Sequence, residues 1–120
     1  MTLNHINLTV PDVVETARFF EKHFNFRILR EKANTIAILE GGEGFTLVIT
    51  NFPNTASFSY PDDFHIGFYQ PDKEKVLEVF TSLQADNLAL TQKPSLIRDR
   101  FGFYFYAPGR ILIEITCKAG

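Results

Sequence analysis

Apolar and polar residues alternate in several short stretches of the chain, as expected of strands with one buried face. The first stretch, 5–10, is followed by a proline and by Asp12, a residue type that favours a helix N-cap. Beyond Asp12 the apolar residues recur at helical spacing until Asn25, which can adopt the left-handed conformation that ends a helix. Three more stretches of strand character follow, at 27–31, 35–40 and 45–50. The first half of the chain therefore predicts the order βαβββ.

The second half repeats this order. HIGFYQPD at residues 65–72 matches HINLTVPD at residues 5–12, and LIEIT at 112–116 matches TLVIT at 46–50. Because the matching segments come in the same order in both halves, we interpret the chain as a duplication. The second module is predicted to have a strand at 65–70, a helix after Asp72, and strands at 89–92, 103–106 and 111–116.

Two such modules predict an α+β fold in a single domain, residues 1–120. Module 1 covers about 1–51 and module 2 about 63–118, joined by a connector at about 52–62 that holds prolines and small polar residues. The aliphatic face of each strand must meet the helices. We therefore expect a curved mixed sheet around a cleft, with the helices on its outer face.

Composition excludes several classes of protein. With 45% hydrophobic and 22% charged residues the chain can bury a core, so a disordered protein is excluded. No apolar run approaches the roughly 20 residues of a membrane helix, and the first residues lack the basic start of a signal peptide. The single cysteine rules out an internal disulfide and predicts a cytoplasmic protein. A net charge of −2 argues against nucleic-acid binding.

The strand face opposite the helices carries the candidate chemistry. His5 and His65 occupy the same position in the repeat. The alternation along the last strand puts Glu114 on the same side of the sheet as these histidines. Two imidazoles and a carboxylate with open positions form a known ligand set for Mn, Fe, Ni or Zn, at which substrate or water is polarised. Each residue alone is more often an ordinary surface or hydrogen-bonded side chain, so the prediction rests on their conjunction. In module 1 this face also carries Asn7, Thr9, Thr46, Val48 and Thr50.

A βαβββ duplication with His on each first strand and Glu on the last resembles the vicinal oxygen chelate superfamily, which includes glyoxalase I, fosfomycin-resistance proteins, extradiol dioxygenases and bleomycin-resistance proteins. LNHINLTVPD (3–12) is similar to the family's opening and IRDRFGFYFYAPGRILIEI (97–115) to its closing segment. The acidic residue of the family's DPxG turn is absent here, since Ala107 occupies its place. The resemblance implies that His5, His65 and Glu114 bind the metal and that two copies form a homodimer. It puts Val48 where glyoxalase I has a fourth ligand, and valine cannot ligate.

The resemblance implies three functions. The first is a metal-dependent enzyme of lyase, isomerase, dioxygenase or transferase type acting on a small oxygen-containing substrate, with Tyr69, Tyr104 or Lys93 assisting. The second is a metal-free binding protein that sequesters an aromatic compound in a groove between two chains, lined by aromatic residues. The third is a fosfomycin-modifying thiol transferase, in which Tyr104 matches an active-site tyrosine and Lys93 is near the position of a substrate-binding lysine. We predict the first because all three ligand residues are present. The predicted substrate pocket holds Asn7, Thr9, Val48, Arg100 and Tyr106.

Overall fold

The computed structural model describes residues 1–120, which form two compact units, Met1–Ser59 and Tyr60–Gly120. In the first unit the elements are β1 (His5–Thr9), α1 (Val13–Phe24), β2 (Arg27–Lys32), β3 (Ile36–Glu40) and β4 (Thr46–Thr50). In the second they are β5 (His65–Tyr69), α2 (Lys73–Ala85), β6 (Ser95–Ile97), β7 (Arg100–Ala107) and β8 (Ile111–Lys118). Short 3₁₀ turns at Gly42–Gly44 and Pro108–Arg110 precede β4 and β8. The α+β class and the βαβββ order of both modules are confirmed.

Each unit contains one four-stranded mixed sheet, and the two sheets have the same strand order, β1-β4-β3-β2 and β5-β8-β7-β6. The first strand of each unit runs parallel to the last, and the other pairs are antiparallel. Asn7 pairs with Val48 in one sheet, and Gly67 pairs with Glu114 in the other. Val48 therefore occupies the position in unit 1 that Glu114 occupies in unit 2, as the internal repeat predicts.

Both helices begin at the predicted aspartates. The Asp12 carboxylate accepts a hydrogen bond from the Glu15 backbone N–H, and Asp72 does the same for Lys75, each at 2.9 Å. These bonds satisfy N–H groups that have no partner within the helix. Asn25 ends α1 in the left-handed conformation, with φ 59°. Neither α1 nor α2 has the length and apolar character of a membrane-spanning helix.

The core of each unit lies between its helix and one face of its sheet. In unit 2, α2 packs on β7 and β8, and the ring of Phe80 meets that of Phe103 edge-to-face at 5.2 Å. Phe103 and Phe105 of β7 are buried, as are Ile111, Ile113 and Ile115 of β8. Because successive side chains of a strand point to opposite faces, the residues between them lie on the face away from α2. Those residues include Tyr104 and Glu114.

The predicted strand at Ala89–Gln92 is wrong. These residues have no regular secondary structure, and the strand that pairs with β7 is Ser95–Ile97. β7 begins at Arg100 rather than at Phe103, and Ile97 pairs with Arg100 across a two-residue turn in which Arg98 has φ 57°. So tight a hairpin puts the partner strand directly before the turn. The turn was missed because Arg98-Asp99 carries no glycine or asparagine.

Candidate functional site

Three chemically active side chains of unit 2 meet on the sheet face away from α2. The Tyr104 hydroxyl donates a hydrogen bond to Glu114 Oε2 at 2.5 Å, and the rings of Tyr104 and His65 meet edge-to-face with centroids 5.6 Å apart. The strand register explains the arrangement, since Tyr104 pairs with Glu114 on β7 and β8, and His65 lies on the neighbouring β5. We call His65, Tyr104 and Glu114 the His–Tyr–Glu cluster.

The imidazole of His65 is oriented by the backbone just before β5. Its Nδ1 lies 2.9 Å from the carbonyl oxygen of Asp63. A carbonyl oxygen can only accept, so Nδ1 is the donor in this contact, and in the neutral imidazole the lone pair is then on Nε2. Metal-ligating histidines are usually held in this way, with the second nitrogen donating to a carbonyl or carboxylate. His65 is exposed, so Nε2 is accessible to a ligand.

The Glu114 carboxylate has one oxygen bound and one open. Oε2 accepts from Tyr104, whereas Oε1 extends over β5, where a Cβ on Gly67 would lie only 3.3 Å from it. Gly67 thus leaves space on β5, next to His65 on the same face, for this carboxylate oxygen. Glu114 is half-buried and makes no ion pair. A carboxylate that makes no ion pair, on the same sheet face as an imidazole with a free nitrogen, has the chemistry that a divalent cation requires.

The hydrogen bond to Glu114 raises the pKa of Tyr104 above the usual range for tyrosine, and burial of the phenol acts in the same direction. Both effects disfavour the phenolate, because it would be repelled by the carboxylate and less well solvated. Tyr104 therefore keeps its proton at neutral pH. It can donate a hydrogen bond or a proton at this site, but it is not a base there.

The corresponding face of unit 1 lacks this chemistry. His5 is exposed, with Nδ1 2.7 Å from Asn4 Oδ1, and Asn7 accepts a hydrogen bond from Thr50 Oγ1 at 3.0 Å. Val48 is half-buried, as is Thr9. Within neither unit are three or more His, Cys, Asp or Glu side chains placed so that they could hold a metal ion. The predicted ligands are divided, with His5 in unit 1 and both His65 and Glu114 in unit 2.

The remaining predicted site residues of unit 2 lie in different surroundings. The Cζ atom of Arg100 lies over the Tyr69 ring, 3.9 Å from its centroid. The Cζ atom of Arg110 lies over the Tyr106 ring at 4.5 Å. Tyr69 is 75% exposed and Tyr106 is 46% exposed. Lys93 is exposed in the loop before β6, and its side chain makes no hydrogen bond or ion pair. The structure therefore groups Arg100 with Tyr69 and gives Lys93 no defined role.

Sequence reasoning assigned no role to three contributors to this face. Asp63 acts through its backbone carbonyl, which no side-chain pattern reveals. Gly67 matters because a side chain is absent there, and Thr116 because it accepts a hydrogen bond from Arg100 Nε at 2.9 Å. Strand parity puts Thr116 on the same face as Glu114, but its bond to Arg100 depends on where β7 begins.

Comparisons with known proteins agree with this fold. The family model described as the glyoxalase/bleomycin resistance protein/dioxygenase superfamily matches residues 2–115. A possible glyoxalase from Bacillus cereus is 32% identical over 98% of this chain and 99% of its own, with a TM-score of 0.84. A comparison with curated proteins gave no match.

More distant solved structures share the fold alone. A fosfomycin resistance protein, FosX, from Listeria monocytogenes is 21% identical over 99% of this chain and 94% of its own, with a TM-score of 0.78. A lactoylglutathione lyase from Agrobacterium tumefaciens is 14% identical over 97% and 92%, with a TM-score of 0.76. The family model and the relative from Bacillus cereus each span nearly the whole chain, and on that evidence the protein belongs to the glyoxalase/bleomycin resistance protein/dioxygenase superfamily.

Proposed function

We propose that the protein is a divalent-metal-dependent enzyme of the vicinal oxygen chelate type that acts on a small oxygen-containing substrate. The observation that carries the proposal is the His–Tyr–Glu cluster, in which an imidazole nitrogen and a carboxylate oxygen are both free on one sheet face. His65 Nε2 and Glu114 Oε1 would bind the metal. His5, which holds the same repeat position as His65, would be the third ligand.

The metal, one of Mn, Fe, Ni or Zn, would supply Lewis-acid polarisation of substrate oxygens and stabilise the negative charge that develops on them. The residues of the chain orient the proposed metal ligands and supply a proton donor toward the substrate. The Asp63 carbonyl fixes the tautomer and the plane of His65, and the Tyr104 hydroxyl fixes one oxygen of Glu114. Tyr104 keeps its proton at neutral pH, so its role toward substrate is that of a hydrogen-bond donor or general acid.

Metal analysis tests this proposal. The purified protein is stripped with a chelator, titrated with Ni²⁺, Mn²⁺ and Zn²⁺ by isothermal titration calorimetry, and compared with His65→Ala, Glu114→Gln and His5→Ala. We expect one metal ion per protein chain in the wild type, and a large loss of metal affinity in each of the three variants.

His23→Ala is the matched control. His23 lies on α1, half-buried against Phe19 with ring centroids 5.0 Å apart, and has no place in the proposed site. Metal binding that survives in both His65→Ala and Glu114→Gln, or that disappears in His23→Ala, contradicts the proposal. Light scattering of the same samples tests the predicted homodimer.

The alternative is a metal-free binding protein for an aromatic compound. The observation that favours it is the exposure of Tyr69 and Tyr106, each already stacked against a guanidinium on the side of the sheet away from α2. Absence of metal binding together with micromolar binding of a flat aromatic compound would support this function. Fosfomycin modification is a further alternative, tested by incubating the metal-loaded protein with fosfomycin and a thiol.

A further inference from the structure

Arg100 is held in a fixed orientation at one end of the sheet face that carries the His–Tyr–Glu cluster. Its side chain starts on β7 and reaches across β8 toward β5. On the way, Nε donates to Thr116 Oγ1 at 2.9 Å, and the guanidinium carbon Cζ lies over the Tyr69 ring, 3.9 Å from its centroid. Thr116, although on the open face, is only 1% exposed. One hydrogen bond and one stacking contact thus fix both the direction and the plane of the guanidinium.

Space for this arrangement depends on a glycine. A Cβ on Gly102, which pairs with Thr116, would lie 2.7 Å from Thr116 Cγ2 and 1.9 Å from the carbonyl oxygen of Ile115. A side chain at residue 102 would therefore displace the threonine that accepts from Arg100. The local sequence RFG at 100–102 provides the guanidinium and the space that its partner needs.

The binding capacity of Arg100 is unused within the protein. Only Nε has a protein acceptor, and no carboxylate pairs with the guanidinium. No polar side-chain atom is buried without a partner, so the terminal N–H groups are open to solvent. An arginine fixed by stacking has already lost much of its side-chain entropy, and its planar donor fork matches the two oxygens of a carboxylate.

We infer that Arg100 binds a carboxylate group of the substrate. Thr116 and Tyr69 are its positioning residues. Thr116 lies two residues beyond Glu114 on β8, a separation of about 7 Å at the usual rise of a strand. The substrate is then a small organic acid whose carboxylate meets Arg100 while an oxygen at its other end reaches the His–Tyr–Glu cluster.

A carboxylate fits better than a phosphate or phosphonate. A dianion is usually held by several cations. The strand register puts Lys118 beside Arg100, and the charge of Arg98 acts on Tyr104. Both side chains are exposed and neither makes a hydrogen bond or ion pair, so Arg100 is the cation of this face that protein partners hold in place. A single oriented guanidinium matches the single charge of a carboxylate. This assignment of substrate class rests on the proposed function, because it places the carboxylate relative to the proposed metal ligands.

The test compares an acid with its neutral amide. ¹⁵N-labelled full-length protein is titrated with 4-oxopentanoate and with 4-oxopentanamide, and the Arg Nε–Hε resonances are followed by NMR. We expect the acid to shift the Arg100 resonance in a saturable manner and the amide to bind at least tenfold more weakly. Arg100→Gln should lower the affinity for the acid at least tenfold and leave the affinity for the amide unchanged. Thr116→Val keeps the shape of the side chain at residue 116 and leaves Arg100 in place. It should also lower the affinity for the acid.

Arg110→Gln is the matched control, because Arg110 likewise stacks on a tyrosine but lacks the fixing hydrogen bond. Equal binding of acid and amide, unchanged acid binding in Arg100→Gln, or tighter binding of methylphosphonate than of the acid would overturn the inference. Ni²⁺ affinity is measured in the same variants. If the protein binds metal but does not discriminate between acid and amide, the assignment of Arg100 as a carboxylate site is wrong and the proposed function is unaffected. Discrimination that depends on Arg100, in a protein that binds no metal, defeats the proposed function and leaves the carboxylate site standing.

Discussion

Gly67→Ala separates the proposed metal site from the stability of the fold. The added methyl group would lie 3.3 Å from Glu114 Oε1, so the carboxylate must move by a few tenths of an ångström. Distances from a metal to its ligands hold within about 0.2 Å, so a shift of this size disturbs the site. We expect the affinity for a divalent metal to fall at least tenfold, which is about 1.4 kcal/mol.

The same substitution should not harm folding. Gly67 lies in the middle of β5 and does not have a positive φ, so alanine can adopt its backbone conformation. A strand glycine replaced by alanine loses less backbone entropy on folding. The free energy of unfolding should therefore stay constant or rise by about 0.5–1 kcal/mol.

Calorimetric titration with Ni²⁺ and urea unfolding measure the two effects on the same samples. Gly42→Ala is the control, since a Cβ there meets no atom within 4 Å and its φ is not positive. A Gly67→Ala protein that binds Ni²⁺ as tightly as the wild type would refute the assignment of Glu114 Oε1 as a ligand. A fall in affinity that accompanies loss of stability would refute the claim that the effect is local.

Three further substitutions each remove one partner of a side-chain hydrogen bond. Tyr104→Phe removes the donor to Glu114 and should lower metal affinity 10- to 100-fold, measured by calorimetry; unchanged affinity would show that the bond does not orient the ligand. Because the pKa of Tyr104 is raised, the stability that this bond contributes is complete below about pH 10 and is lost as the pH rises through the raised value. In an absorbance titration of the tyrosines, Glu114→Gln should therefore make the last ionisation occur earlier, and an unchanged curve would argue against the contact. Asp72→Ala removes the α2 cap and should lower the free energy of unfolding by about 0.5–2 kcal/mol in urea, whereas an equal midpoint and slope would contradict the capping role.

The order of secondary-structure elements was predictable because it depends on local patterns. Strand alternation, the aspartate caps and the internal repeat each need only a few neighbouring residues. The error at Ala89–Gln92 had a different cause. The position of β6 is set by pairing with β7 across a turn that has no glycine, so propensity alone could not locate it.

The site was predictable in part. Parity placed His65 and Glu114 on one face, and the register of β5 with β8 agrees with that placement. Parity cannot show which atoms meet. The bond from Tyr104 to Glu114 depends on the register between β7 and β8, and that of Arg100 to Thr116 on a side chain crossing between strands. Both contacts depend on three-dimensional packing that a sequence pattern does not encode.

The central claim is that a divalent metal binds to His65 and Glu114. The most direct measurement is anomalous diffraction at the metal absorption edge from crystals of the protein soaked with Ni²⁺ or Zn²⁺. We expect an anomalous peak about 2.0–2.2 Å from His65 Nε2 and from a carboxylate oxygen of Glu114. The absence of a peak there, or a peak at other side chains alone, would contradict it.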